Sequence, residues 1–130
     1  DVERVSATPE EMVGLVASCH VGLSICRDDS GVSLLAAMPT KIGEFLASGR
    51  PVMINPGLVD VTELGSSHNC GVVFGSSVLG RLEEAVNLLE RQLDDPQLPT
   101  RCRNLAETHF DLEGGVDQLV ATYHSVRNSP

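Results

Sequence analysis

Thr40-Lys41-Ile42-Gly43-Glu44-Phe45-Leu46-Ala47-Ser48-Gly49-Arg50-Pro51-Val52-Met53-Ile54-Asn55 reads as a helix that stops and a strand that starts. Ile42, Phe45 and Leu46 recur at the spacing of one apolar helical face, and Lys41, Glu44 and Ser48 fall on the other. The helix opens at Pro39 or Thr40. Gly49 suits the left-handed position just past its end, and Pro51 forbids any continuation. Val52 to Asn55 is short and apolar, as a buried strand requires.

The same alternation extends to both sides. Upstream, Val2 to Ala7 is β-like, and Thr8 then caps Pro9-Glu10-Glu11, an N-cap, first-turn proline and acidic first turn in sequence. The helix that follows carries Met12, Leu15 and Val16 on one face. His20 to Cys26 is rich in Val, Leu and Ile and reads as a second strand, and Arg27 to Ala37 as a loop. Downstream, Pro56-Gly57 marks a turn. Asp60 with Glu63 three residues later opens a helix in the manner of a capping box. His68-Asn69-Cys70-Gly71 is a turn into the strand Val72 to Phe74.

After Phe74 the pattern is helical only. Leu79, Leu82, Val86, Leu89 and Leu93 form an apolar stripe that Pro96 and Pro99 end. Thr100 to Phe110 and Leu112 to Arg127 follow as further helices, the second weakened by Gly114-Gly115. The organisation expected is an α/β core over residues 1–75 with a helical segment, 76–130, packed on the same domain. Strands that alternate with helices predict a parallel sheet with helices on both faces. Ligands of such sheets sit beyond the carboxyl ends of the strands, which singles out Arg27 to Lys41 and Asn55 to Asp60.

Composition narrows the function. The formal net charge is −9, which argues against nucleic acid or an anionic membrane as the main partner. A phosphate can still bind locally at a helix N-terminus with one or two cations. Eight of the nine basic residues are arginines, and Lys41 is the lone lysine. No apolar run approaches the ~18 residues of a membrane helix. Cys19, Cys26, Cys70 and Cys102 have no zinc-ligand spacing and read as free, buried thiols. The chain reads as an excerpt of a longer polypeptide.

Lys41 in a first helical turn is unfavourable for the helix itself, a local misfit that hints at function. Glu44, one turn on, can accept two hydrogen bonds from a vicinal diol such as ribose. The same spacing also describes a solvated surface pair on an ordinary amphipathic helix.

Met38-Pro39-Thr40-Lys41-Ile42-Gly43-Glu44-Phe45-Leu46-Ala47-Ser48-Gly49-Arg50-Pro51-Val52 resembles the P-[ST]-K-x-x-E-[YF]-L-A-x-G-x-P-V stretch of GT-B glycosyltransferases, above all the large retaining family 4. Pro9-Glu10-Glu11-Met12 and His20-Val21-Gly22-Leu23-Ser24 are similar to that family's flanks, although His20 stands where aspartate is usual. Gly57 to Leu64, Gly71 to Phe74 and His109 to Glu113 resemble its later segments, so the likeness spans nearly the whole chain.

The resemblance implies a Rossmann-like, doubly wound carboxyl-terminal domain of a GT-B fold, with a helical end, that binds a nucleoside-diphosphate sugar. Glu44 matches the family's ribose-binding glutamate. Met38, Pro39, Thr40 and Lys41 match the loop and helix start near the diphosphate and sugar, with Lys41 the catalytic candidate. Gly57 is a candidate backbone contact, and Arg27 and Arg50 are candidate phosphate neighbours. No metal or other cofactor is expected beyond a UDP-, GDP- or other nucleotide-sugar donor, and the location expected is cytoplasmic.

Ala36 departs from the family's E-x7-E motif. The first glutamate is missing, as is common in members with the P-[ST]-K form, and Asp28, Asp29 or Ser33 could replace it. The domain's first two strands and the amino-terminal acceptor domain are absent, so this chain alone is expected to be inactive. Two alternatives stand beside the transferase. A nucleotide-sugar 2-epimerase would need a histidine in the strand-to-helix loops. A non-catalytic doubly wound domain of the receiver type would need an aspartate at a strand end and a late lysine.

Overall fold

The computed structural model describes residues 2–25, 39–55, 58, 67–74 and 79–127. Its elements are α1 (Pro9–Ser18), β1 (Gly22–Ser24), α2 (Thr40–Ala47), β2 (Val52–Ile54), β3 (Gly71–Val73), α3 (Leu79–Leu93), α4 (Leu98–His109) and α5 (Leu112–Arg127). The strands form one parallel sheet in the order β1-β2-β3. Gly22 aligns with Val52 and Gly71, and Ser24 with Ile54 and Val73. The chain is therefore an α/β protein built on a three-stranded parallel sheet.

Alternation along β2 divides the core in two. Val52 and Ile54 join Ile42 and Leu46 of α2 and Leu98, Cys102 and Leu105 of α4 on one face. Met53 joins Val72, Ala85 and Leu89 on the other, beneath α3. Ile42 is fully buried and Leu46 is 2% exposed, each burial worth about 1.5–3 kcal/mol. Helices thus cover both faces of β2. Over β1 only the α2 side is covered, because Leu23 on the other side is 59% exposed.

Local signals explain the helix ends. Thr8 Oγ1 accepts from the Glu11 N–H, and the Glu11 carboxylate accepts from the Thr8 N–H, a reciprocal capping box that starts α1. Gly49 ends α2 with φ 75°. Its N–H donates to Leu46 O and the Arg50 N–H to Phe45 O, the paired bonds of a Schellman motif.

Three expectations need correction. Val2 to Ala7 is not a strand: it makes no ladder, and Val2 and Val5 are exposed. β-Propensity alone does not make a segment join a sheet, because pairing is decided by tertiary context. The buried line of α3 is Ala85, Leu89 and Gln92 rather than the full leucine stripe, since Leu82, Val86 and Leu93 are each more than a third exposed. The helix meets β3 along one narrow contact, and the rest of its apolar arc faces outward. Helix α4 begins at Leu98 with Pro99 inside its first turn, where a missing N–H costs nothing. Helix α5 spans Leu112–Arg127 as the sequence predicts, with Gly114-Gly115 in its first turn. The expected turn at Pro56-Gly57 and the helix opened by Asp60 lie outside the described residues.

Of the helical segment, α3 packs on β3 and α4 on α2. Helix α5 carries no buried residue.

Candidate functional site

The carboxyl ends of the strands carry the candidate site. Ser24 closes β1 and Asn55 follows β2, and both are buried, 1% and 2% exposed. A Cβ on Gly22 would strike the Phe45 ring at 2.3 Å, so that side of β1 faces α2. Ser24, two residues on, points the same way. Its hydroxyl is buried and makes no hydrogen bond. A buried hydroxyl without a partner is costly to the folded state.

Helix α2 rises beside that end. Pro39 is its N-cap and makes no side-chain capping bond, and no acidic residue sits in the first turn. The Ile42 N–H donates to Pro39 O at 3.0 Å, and the Thr40 and Lys41 N–H groups receive no side-chain cap from Pro39, at the end where the helix dipole is positive. Thr40, Lys41 and Glu44 are exposed, while Ile42, Gly43 and Leu46 are buried. The polar and apolar faces are thus separated as the spacing predicts. Lys41 and Glu44 form no salt bridge with each other; among the described residues the side-chain ion pair is Arg101–Asp95.

Glu44 stands between two grooves. One, of about 470 Å³, runs between α2 and α4 and includes Thr40, Gly43, Arg103, Phe110 and Asp111. The other, about 410 Å³, lies between α1 and α2 and includes Met12, Val16 and Ser48. Both are large enough to take part of a small ligand. Lys41 lines neither groove, so the structure brings Thr40 and Glu44 together at one groove and leaves Lys41 on the solvent side of the helix start.

Met38, Gly57, Arg27, Asp28, Asp29, Ser33 and Ala36 lie outside the described residues. Arg50 is not at the site. It follows the far end of α2, and its guanidinium donates to Ala17 O, tying α1 to α2. Its place in the sequence beside Gly49 and Pro51 puts it at the amino end of β2, away from any ligand crevice. Sequence reasoning passed over Ser24. The available signal was a hydroxyl residue within an apolar strand segment, close to its carboxyl end. Among the described residues, no group of three or more histidine, cysteine or acidic side chains could hold a metal ion.

A scan against protein-family models, a search of curated proteins and a search of solved structures each return no match. No described helix is long and apolar enough to cross a membrane.

Proposed function

We propose that this chain is the donor-binding part of a retaining, GT-B glycosyltransferase, of the hexosyltransferase type, acting in envelope or capsule polysaccharide assembly. In this reading the three-stranded sheet belongs to a Rossmann-like, doubly wound carboxyl-terminal domain. The ligand is a nucleoside-diphosphate sugar, and the sugar passes to a glycan or lipid-linked acceptor. The observation that carries the proposal is the uncapped start of α2, with Thr40 and Lys41 in its first turn and Glu44 one turn on. The helix end supplies donors for a diphosphate. The Glu44 carboxylate can hold the ribose diol, with a groove on either side for the rest of the ligand.

Mechanistically, Lys41 and the α2 N–H groups offset the negative charge that builds on the departing diphosphate. The acceptor site belongs to an amino-terminal domain of the same polypeptide. That domain is also the partner through which the protein would meet a membrane surface from the cytoplasm. Leu23 on the open side of β1 supports a larger body, because an apolar strand face is ordinarily covered.

The test is kinetic, on the polypeptide that carries both domains. Glu44→Ala raises the donor KM by the equivalent of ~1.5–3 kcal/mol, as loss of a charged hydrogen bond does. Lys41→Ala lowers kcat more than it raises KM. Thermal-shift titration with UDP-, GDP-, ADP- and dTDP-sugars identifies the base. Wild-type kinetics in both variants would return the two residues to a solvated helix face. Residues 1–130 alone show only background transfer.

A further inference from the structure

We propose that His68 and His109 form a two-histidine binding site for a divalent transition-metal ion of the zinc class. His68 lies in the turn that leads into β3, and His109 ends α4, so the fold brings together two imidazoles that the sequence keeps far apart. Their rings meet edge to face with centroids 6.1 Å apart. Both residues are exposed, and both line an open groove of about 390 Å³, so an ion reaches them directly from solvent. That groove shares no lining residue with the two grooves beside Glu44. The site is therefore separate from the one proposed for the donor.

Imidazole is the commonest metal ligand in proteins, and it suits zinc, copper and nickel. A metal–nitrogen bond of ~2.0–2.1 Å puts an ion roughly 3 Å from the centre of each ring that binds it. Two rings sharing a tetrahedral ion then have centres roughly 5 Å apart. The observed pair is more open than that by about an ångström, a gap that exposed side chains close by turning. His68 Nδ1 is hydrogen-bonded with Ser67 Oγ at 2.9 Å. Such an anchor on one ring nitrogen is what orients a ligating histidine.

The surroundings favour a cation. His109 stands in the last turn of α4, where the helix dipole is negative, and the chain carries a formal charge of −9. Arg101 lines the same groove, but its guanidinium is spent on Asp95 and on Asn69 O. Thr108 and Asn104 also face the groove. Thr108 gives its hydroxyl proton to Asn104 O at 2.7 Å, so its oxygen offers lone pairs. Two histidines are one ligand short of a catalytic zinc centre, and water fills the open positions, so the ion exchanges readily. Held by one residue before β3 and one on α4, it fastens the helix to the sheet and stabilises the folded chain by mass action.

The experiment titrates zinc chloride into the chelator-treated full polypeptide by calorimetry. His68→Ala and His109→Ala are each expected to weaken one zinc equivalent by about tenfold or more, and the double variant to lose it. His124→Ala, on α5, leaves that equivalent unchanged. Zinc should also raise the thermal midpoint of the wild type and not that of the double variant. Electron paramagnetic resonance of the copper(II)-loaded wild type, which needs no variant, should show coupling to two imidazole nitrogens. Zinc bound equally well by the double variant, or copper without nitrogen coupling, overturns the proposal. Inorganic phosphate bound by the wild type and lost in the double variant, with no zinc bound by either, would assign the groove to an anion and overturn it as well.

Discussion

The two ends of the sheet are built differently. At the amino end, polar side chains turn inward onto the backbone. Gln92 Nε2 donates to Gly71 O at 3.2 Å, Arg50 to Ala17 O, and Arg101 both to Asp95 and to Asn69 O. The Gln97 backbone N–H and then Arg101 hold the Asp95 carboxyl below its usual range. Each long side chain there keeps one spare atom, Arg50 Nε, Gln92 Oε1 and Arg101 Nε, but each is anchored by another. At the carboxyl end, the Ser24 hydroxyl has no anchor at all and α2 starts without a side-chain cap. At the amino end each long polar side chain is thus anchored through at least one atom; at the other end the Ser24 hydroxyl is not, and that is the end where parallel sheets place their ligands.

The largest expected effect is at the amino end. A Cβ on Gly71 would lie 2.3 Å from Val52 O and 2.9 Å from Val52 Cγ2. The obstacle is backbone, so β3 must part from β2 to admit a methyl group. Gly71→Ala is expected to lower unfolding free energy by ~3 kcal/mol or more by urea denaturation, or to prevent folding. A loss under ~1 kcal/mol would mean that this end is looser than its hydrogen bonds indicate.

A smaller loss is expected midway along α2. Gly43 faces Phe110, whose ring would lie 2.8 Å from an added Cβ. Intolerance of Ala there does not require a donor packed on the helix backbone, because the helix is already filled on that side by Phe110, the C-cap residue of α4. Phe110 is only partly buried and can shift, so Gly43→Ala should cost ~1–2 kcal/mol. The loss should be equal with and without nucleotide sugar. A loss that appears only with the donor would restore the ligand as the cause.

How much of this was legible depends on the range of the interaction. The Thr8 cap, the stop at Gly49 and Pro51, and the split of α2 into Ile42/Phe45/Leu46 and Lys41/Glu44 faces are set by residues within one or two turns. Spacing therefore exposes them. The parallel pairing of β1 with β2 follows from α2, which intervenes between them. Two things were not legible. Val2 to Ala7 has strand-like residues but stays outside the ladder, and pairing is a tertiary event. The buried line of α3 depends on how much of β3 lies under it, which no helical pattern states. Ser24 is an intermediate case, since its strand was readable and its lack of a partner was not.

That missing partner gives the smallest and sharpest prediction. A buried hydroxyl that bonds to nothing costs the folded state roughly 1–3 kcal/mol relative to water. Replacing it with a methyl hydrogen removes that cost and leaves little cavity. Ser24→Ala is therefore expected to raise unfolding free energy by ~1 kcal/mol, whereas Gly71→Ala at the amino end lowers it. If the hydroxyl is kept for a ligand, the same variant loses affinity for the nucleotide sugar, with about tenfold weaker binding corresponding to ~1.4 kcal/mol. Urea denaturation and calorimetric titration on one preparation read both signs. A stability gain with unchanged donor affinity would show that the orphaned hydroxyl serves no ligand. A stability loss would show that it has a partner within the fold, and the contrast between the two ends would then rest on the uncapped start of α2 alone.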